Sequence, residues 1–241
     1  MWRMVLDDFR CGAGARLKRA LKSCYMYLYS ILYMPIFLHF ESGYIICFFF
    51  FGIPMLSAIL LSRMYGGKMN KTLYLCPMSE DDRRKYWLVL WGIRTGFPTG
   101  LSLLLNGALL AFRVLPAVMF LVVTVMTALH AAALNLYCPP MEGDGVSEKK
   151  HPLPGSYEVW DVFLQVISLV TIAFLAEILD DAAEAKRAGA EILVIPLLVG
   201  HAVLAVCMLG KYFRPVLEYI AQYEILPQSG QKNEDNRKNV A

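Results

Sequence analysis

The stretch SEDDRRKYWLVLWGIRTGFPTGLSLLLNGALLAF, residues 79–112, decides the fold class of this chain. After one serine come six consecutive charges, three acidic and then three basic, and the stretch ends in an uncharged run from Thr95 to Phe112. At about 1.5 Å per residue this run is roughly 27 Å long, close to the roughly 30 Å of a bilayer's hydrocarbon core. The pattern predicts a transmembrane helix that is entered through a charged segment.

The composition of the whole chain is that of a membrane protein. Of its 241 residues, 57% are hydrophobic and 18% are charged, and the mean hydropathy is +0.48. Soluble domains carry about 25% charged residues. The net charge of +3 gives no support to nucleic-acid binding. The six cysteines include no C-x-x-C pair, which indicates buried or cytosolic thiols rather than a disulfide framework or a metal site.

Gaps between charged residues mark six candidate spans, each near the length of about 20 residues that a membrane helix needs. Their bounds are 23–40, 42–62, 95–112, 114–138, 162–176 and 192–210. We therefore predict an all-α membrane protein in three parts. These are an interfacial segment at 1–22, a six-helix transmembrane domain at 23–212, and a partly disordered cytoplasmic tail at 213–241.

The distribution of basic residues sets the predicted orientation of these spans. Most of the 23 Lys and Arg residues fall in residues 1–22, in the connection between spans two and three, and in the C-terminal tail. Because basic loops stay in the cytoplasm, both termini are predicted to be cytoplasmic. Basic and apolar residues are interspersed in residues 4–22, which predicts an amphipathic helix on the lipids of the inner leaflet. A solvated basic leader that only sets the topology is the alternative.

The charges at the start of the quoted stretch suit the first turn of a helix. Ser79 is a good N-cap, because its hydroxyl can accept a hydrogen bond from the amide of Asp82. The Asp82 carboxylate can reach back, as in a capping box. Acidic residues in the first turn complement the helix dipole, and the basic residues after them face anionic lipid. A capped membrane entry explains this order, while the apolar residues 73–75 just before it favour a docking surface for a cytoplasmic partner.

The longer stretch KTLYLCPMSEDDRRKYW, residues 71–87, resembles the "LYLLPMSxxERxxY" segment of bacterial ABC-2 type transporter permeases. The matching residues are Leu73, Tyr74, Leu75, Pro77, Met78, Ser79, Asp82, Arg83 and Tyr86. The predicted layout is also similar, with a basic interfacial helix, six spans, both termini inside, and a polar segment between spans two and three. The resemblance implies a transport permease, and export by habit of the family, in the bacterial cytoplasmic membrane.

In such permeases the segment between spans two and three carries a coupling helix that sits on the ATPase subunit. The resemblance therefore implies an ATPase docked on the loop 68–86, with contacts from Pro77, Met78, Ser79, Glu80, Asp81, Asp82, Arg83 and Arg84. It also implies a second permease, either another copy of this chain or a homologue. The chain has no G-x-x-x-x-G-K-[ST] motif, so ATP and magnesium would be bound by the partner, and the chain is not itself expected to be an enzyme.

Polar residues inside the predicted spans are the candidates for a transport pathway, since ionisable groups at membrane depth are often functional. They are Arg94, Asn106, His130, Gln165 and His201. For Arg94 the alternative is a place at the inner interface, where the side chain snorkels beside Trp87 and Trp91 as interfacial belt residues. For the others the alternative is hydrogen bonding between helices.

Two other functions stay open at this stage. One is a membrane anchor or assembly protein without transport activity. The other is an intramembrane enzyme, although the chain has no Glu-Glu pair of the kind that membrane-embedded proteases of prenylated proteins use.

Overall fold

The computed structural model describes residues 13–23, 48–65, 78–113, 115, 117–136, 155–179 and 184–221. Within these residues every regular element is a helix and there is no strand, which confirms the all-α prediction. The predicted first span, residues 23–40, lies outside the described residues apart from its first residue. Residues 1–12 of the interfacial segment, residues 68–77 of the predicted docking loop, and residues 222–241 of the tail also lie outside them.

Six helices, one of them preceded by a π-helical turn, make up the described part of the chain. They are α1 (Ala13–Ser23), the π-helical turn (Phe48–Gly52) that leads directly into α2 (Ile53–Tyr65), α3 (Glu80–Ala111), α4 (Ala117–Leu134), α5 (Gly155–Leu179) and α6 (Glu184–Ala221). Three helices are long and apolar enough to cross a membrane: α3, α4, and α6 from Ile192 to Ala221. The apolar parts of α2 and α5 are shorter, and the six-span topology remains a prediction.

Helix α3 joins the charged entry and the apolar run without a break. It has 32 residues, from Glu80 to Ala111, and is therefore about 48 Å long. This exceeds the hydrocarbon core of a bilayer by about 18 Å. The hydrocarbon core therefore cannot contain the whole of α3. The first turns, which carry its acidic residues, are the part that suits the core least.

Helix α6 continues past the point where the sequence predicted the end of the sixth span. The predicted end at Gly210 rests on the charge of Lys211, yet the helix runs to Ala221. Tyr212, Val216 and Ile220 recur every four residues and are buried, so an apolar face continues toward the rest of the bundle. Residues 213–221, which were predicted to belong to a cytoplasmic tail, are helical and partly packed.

The helix ends that carry most of the described charges meet at one end of the bundle, which we call the charged end. Arg63 near the end of α2 pairs with Asp161 in the second turn of α5. Trp87 near the start of α3 contacts Phe213 in the last turns of α6. The helix ends in this group adjoin the connections that the sequence predicts to be cytoplasmic. The grouping therefore agrees with the predicted orientation of the helices.

Two apolar clusters form the core, one toward each end of the bundle. The cluster nearer the charged end is built around Ile59, Trp87, Leu134, Tyr157 and Tyr212, with further residues from α2, α4, α5 and α6. The cluster nearer the opposite end contains Phe51, Leu109, Leu115, Val123, Ile172, Leu175 and Val194. Helix α4 contacts α2, α3 and α6, and residues 131–136, which include its last turn and the two residues after it, are all buried. It is the central helix at the charged end.

A tight turn makes α3 and α4 an antiparallel pair. The Phe112 N–H donates to Ala108 O and the Arg113 N–H donates to Leu110 O, each at 3.0 Å. Arg113 has a φ of 59°, in the left-handed region that non-glycine residues rarely occupy. The turn brings polar residues of α3 opposite polar residues of α4.

Candidate functional site

The predicted coupling segment, Ser79–Lys85, begins with a capped helix end. Ser79 Oγ accepts a hydrogen bond from the Asp82 amide at 3.2 Å, and the Ser79 hydroxyl donates to Asp82 Oδ2 at 2.7 Å. The first bond confirms Ser79 as the N-cap of α3. The second is a variant of the predicted capping box, because Asp82 receives its bond from the serine hydroxyl rather than from the serine backbone.

The coupling segment presents its acidic residues to the outside. The side chains of Glu80 and Asp81 are 62% and 77% exposed, and Arg84 lies 4.0 Å and 3.4 Å from them within the same helix. Exposed pairs of this kind contribute little to stability. Met78, Asp82 and Arg83 are half-buried, and Pro77 lies outside the described residues. The segment is therefore a polar surface, and the ion pairs between its own charged residues are weak.

The turns of α3 that follow the coupling segment are anchored in the bundle by aromatic side chains. Trp87 and Trp91 stack with their ring centroids 6.2 Å apart. Phe213 of α6 approaches them edge-on, with centroid distances of 5.7 Å and 5.3 Å. The first turns of α3 and the last turns of α6 therefore form one packed unit, although one face of α3 stays exposed.

Side chains from α3 and α5 complete the buried end of α4. The last carbonyls of a helix have no partner within it and need other donors when they are buried. Trp91 Nε1 donates to Ala132 O at 3.1 Å. The Tyr157 hydroxyl lies 2.9 Å from Ala133 O and 3.3 Å from Leu134 O. The sequence indicated no role for Tyr157, because nothing local to residue 157 reveals the helix end that it meets.

Arg94 lies inside the bundle, which disfavours the alternative of a side chain that snorkels to the membrane interface. Arg94 is 1% exposed, and the rings of Trp87 and Trp91 contact Phe213 of α6. The backbone carbonyl of Arg94 accepts a hydrogen bond from Asn135 Nδ2 at 3.1 Å. The α4 helix therefore holds α3 at this position through a side chain.

Asn106 joins three elements in the middle of the bundle. Its Nδ2 donates to Phe50 O in the π-helical turn at 3.2 Å, and to the carbonyl and hydroxyl oxygens of Ser102, each at 2.9 Å. The Ser102 hydroxyl in turn lies 3.4 Å from Thr127 Oγ1 on α4. Asn106, Ser102 and Thr127 are all fully buried. This polar cluster connects the start of α2 to α3 and α4.

The two histidines among the candidate pathway residues form a direct contact between α4 and α6. His130 Nδ1 and His201 Nε2 are 3.1 Å apart, and both residues are fully buried. One ring must donate and the other accept, so the contact requires matching tautomers of the two imidazoles. The pair is a hydrogen bond between helices, which was one of the two roles considered for each histidine.

Gln165 supports an ion pair that links α2 to α5. Arg63 pairs with Asp161, whose side chain is only 9% exposed, and Gln165 Nε2 donates to Asp161 Oδ1 at 3.0 Å. Buried carboxylates are stable only when charges and donors of this kind surround them. The sequence did not single out Asp161, because an acidic residue at the edge of a predicted span looks like an ordinary loop charge.

The five predicted pathway residues thus lie at contacts between helices or support such a contact. Whether any of them lines a transport pathway remains a prediction. Among the residues that the structure describes, no three His, Cys, Asp or Glu side chains come together as a metal site requires. Comparisons of the chain with protein-family models, with curated proteins and with solved structures found no match.

Proposed function

We propose that this protein is the permease subunit of an ATP-binding-cassette transporter, an exporter of the ABC-2 type driven by a separate ATPase subunit. The observation that carries the proposal is the single helix α3, which runs from the exposed, capped segment at Ser79 through the apolar span to Ala111. A partner that moves the start of this helix acts on its membrane part as well, because both belong to one helix of about 48 Å.

The packing around the start of α3 supports a coupled movement. Trp87 and Trp91 pack the start of α3 against Phe213 of α6. Trp91 also donates a hydrogen bond to the carbonyl of Ala132 near the end of α4. A displacement of the coupling segment therefore reaches α4 and α6 directly. In this proposal, ATP-driven closure of the ATPase subunits tilts these helices and switches the side of the membrane to which the transport site opens.

The other parts of the proposal follow from the same arrangement. The charged end faces the bacterial cytoplasm, where the ATPase binds ATP and magnesium. Helix α1 supports contact with the inner leaflet, since Leu17 and Leu21 are exposed beside the exposed Lys18 and Lys22. A second copy of the chain, or a homologous permease, completes the membrane part of the transporter.

The proposal is tested by purifying the tagged protein in mild detergent and identifying the subunits that accompany it. The test variant carries Arg84→Glu and Lys85→Glu on the exposed side of the coupling segment. The matched control carries Lys211→Glu and Arg214→Glu, which change two exposed basic residues at the same end of the bundle. Arg84 and Arg214 each make an exposed ion pair within their own helix, so the two variants lose comparable local contacts.

We expect an ATP-binding-cassette ATPase to accompany the wild-type protein and the control variant but not the test variant. Loss of the ATPase from both variants, or from neither, would place the docking surface elsewhere. If no ATPase accompanies the wild-type protein under conditions that keep the bundle folded, the transporter proposal is wrong and a membrane anchor or assembly protein becomes the better description.

A further inference from the structure

The Asn106 amide supplies a hydrogen bond that α2 cannot make by itself. In an α-helix the N–H of residue 54 donates to the carbonyl of residue 50, but Pro54 has no N–H. A proline ring also crowds the carbonyl four residues before it, and the chain widens into the π-helical turn Phe48–Gly52 just there. Asn106 Nδ2 of α3 donates to Phe50 O at 3.2 Å. An amide from the next helix therefore replaces the donor that the proline removes.

The same arrangement occurs a second time, one helix further along the chain. Pro98 lies inside α3, so the carbonyl of Arg94, four residues earlier, loses its donor within the helix. Asn135, just after the last residue of α4, donates from Nδ2 to Arg94 O at 3.1 Å. The carbonyl that a proline frees in α3 is thus bonded by an asparagine that follows α4.

The other atoms of the two amides point to the same role. Besides the bond to the neighbouring helix, Asn106 and Asn135 each donate to the carbonyl four residues before them in the chain, at 2.9 Å and 2.8 Å. The Oδ1 atoms of both are buried and have no hydrogen-bond partner among the described residues. A buried acceptor without a partner is unfavourable. Each asparagine therefore contributes to the bundle through the hydrogen bonds that its Nδ2 donates.

We infer that the chain has two proline hinges, one at residues 50–54, where the π-helical turn meets α2, and one at residues 94–98 within α3. Asn106 and Asn135 are the positioning residues that clamp these hinges. Each clamp comes from the next helical segment of the chain, so the bend of α2 depends on the position of α3, and the bend of α3 depends on the position of α4. When a neighbouring helix moves, the clamp opens and the proline-containing helix is free to change its bend. At membrane depth no water replaces the lost donor, so opening a clamp is energetically unfavourable.

The use of these hinges in transport rests on the proposed function. The hinge of α3 lies between the coupling segment at Ser79–Lys85 and the greater part of the apolar span. A push on the coupling segment would therefore act across the clamp made by Asn135. The hinges themselves follow from the bundle alone, and they are tested without an ATPase or a substrate.

The first test is a pair of double-mutant cycles on the thermal unfolding of the purified protein. Pro54→Ala restores the N–H that Phe50 O lacks, and Pro98→Ala does the same for Arg94 O. Asn106→Leu and Asn135→Leu remove each clamp at similar side-chain volume. We expect each leucine substitution to lower the Tm of the wild-type protein by about 2–4 °C. In a protein that already carries the Pro→Ala substitution of the same hinge, the same leucine substitution should lower Tm by less than half as much.

The crossed pairs are the matched controls for this cycle. Asn106 and Pro98 are eight residues apart on α3, about 12 Å, beyond the distance at which substitutions usually couple. The Tm loss from Asn106→Leu should therefore be unchanged by Pro98→Ala, and that from Asn135→Leu unchanged by Pro54→Ala. Equal losses in matched and crossed backgrounds would overturn the inference, because they would show that the asparagines act independently of the prolines.

The second test measures the bend of α3 directly and does not depend on stability. Spin labels at Leu88→Cys and Leu104→Cys, both exposed positions in an otherwise cysteine-free protein, flank Pro98 and are roughly 24 Å apart along the helix. Pulsed electron paramagnetic resonance should give a broader distance distribution in Asn135→Leu, and the wild-type width again when Pro98→Ala is added. A distribution that Asn135→Leu leaves unchanged would overturn the clamp at α3. Since no ATPase is present, this result is separate from the outcome of the co-purification experiment.

Discussion

Removing the single hydroxyl oxygen of Tyr157 tests how the bundle stabilises the end of its central helix. The hydroxyl lies 2.9 Å from Ala133 O and 3.3 Å from Leu134 O, and Tyr157 itself is 1% exposed. Tyr157→Phe keeps the ring, which packs edge-on against Tyr212 with centroids 5.4 Å apart. The substitution therefore removes polar contacts and leaves the apolar packing in place.

The expected loss follows from the cost of buried carbonyls without a donor. A buried polar group that loses its partner destabilises a protein by about 1–3 kcal/mol. For a protein of this size each 1 kcal/mol shifts Tm by about 2–4 °C. Ala133 O keeps the Leu136 N–H as a donor at 3.3 Å, so the loss falls mainly on Leu134 O. We therefore expect a destabilisation of about 1–2 kcal/mol and a Tm that is lower by roughly 2–8 °C.

The assay is thermal unfolding of the purified protein in detergent, followed by the tryptophan fluorescence of the buried core. The matched control is Trp160→Phe, an aromatic substitution three residues further along α5, because Trp160 is 42% exposed. Substitutions at such positions usually change stability by less than about 0.5 kcal/mol. If Tyr157→Phe unfolds at the same temperature as this control, the hydroxyl does not complete the end of α4.

Three further predictions concern other contacts of the described bundle, each measured by the same unfolding assay. Arg113→Gly should stabilise the protein by about 1 kcal/mol, because glycine adopts the left-handed backbone of the α3–α4 turn without steric strain; an unchanged Tm would mean that the turn is not strained. Arg63→Met should destabilise it by about 1.5 kcal/mol, since Asp161 is nearly buried, and by clearly less when Asp161→Asn is also present. His130→Leu with His201→Leu should be at least as stable as either single variant, because the double variant leaves no imidazole without its partner; a double variant that is less stable than both would contradict the hydrogen-bonded pair.

The sequence predicted those features that depend on neighbouring residues. Ser79, followed by three acidic residues, marks a helix start through bonds that span only three positions, and the structure has that cap. The uncharged run from Thr95 predicted a helix long enough to cross a membrane, and α3 contains it without a break. The apolar composition was sufficient to predict a helical protein, because the unpaired backbone groups of an open sheet edge are unfavourable in so apolar a setting.

The features that the sequence did not predict depend on which helices are neighbours. An interfacial place was open for Arg94 because the run after it is almost long enough to span alone, but the residue is buried inside the bundle. The sixth span was predicted to end at Gly210 because Lys211 is charged, although Tyr212 and Val216 keep an apolar face in contact with the bundle. The pairing of each asparagine with a proline-freed carbonyl joins residues more than 35 positions apart, so no local pattern reveals it.

The most direct test of the transporter proposal is a site-specific cross-link from the start of α3 to the ATPase. A photoreactive amino acid is placed at Asp81, whose side chain is 77% exposed, or at Arg113 in the turn at the other end of the same helix. In intact cells we expect the probe at Asp81 to form a covalent adduct with an ATP-binding-cassette ATPase, and the probe at Arg113, about 48 Å away, to form none. The absence of an adduct from Asp81 in a protein that is folded and in the membrane would contradict the proposal that α3 couples this protein to an ATPase.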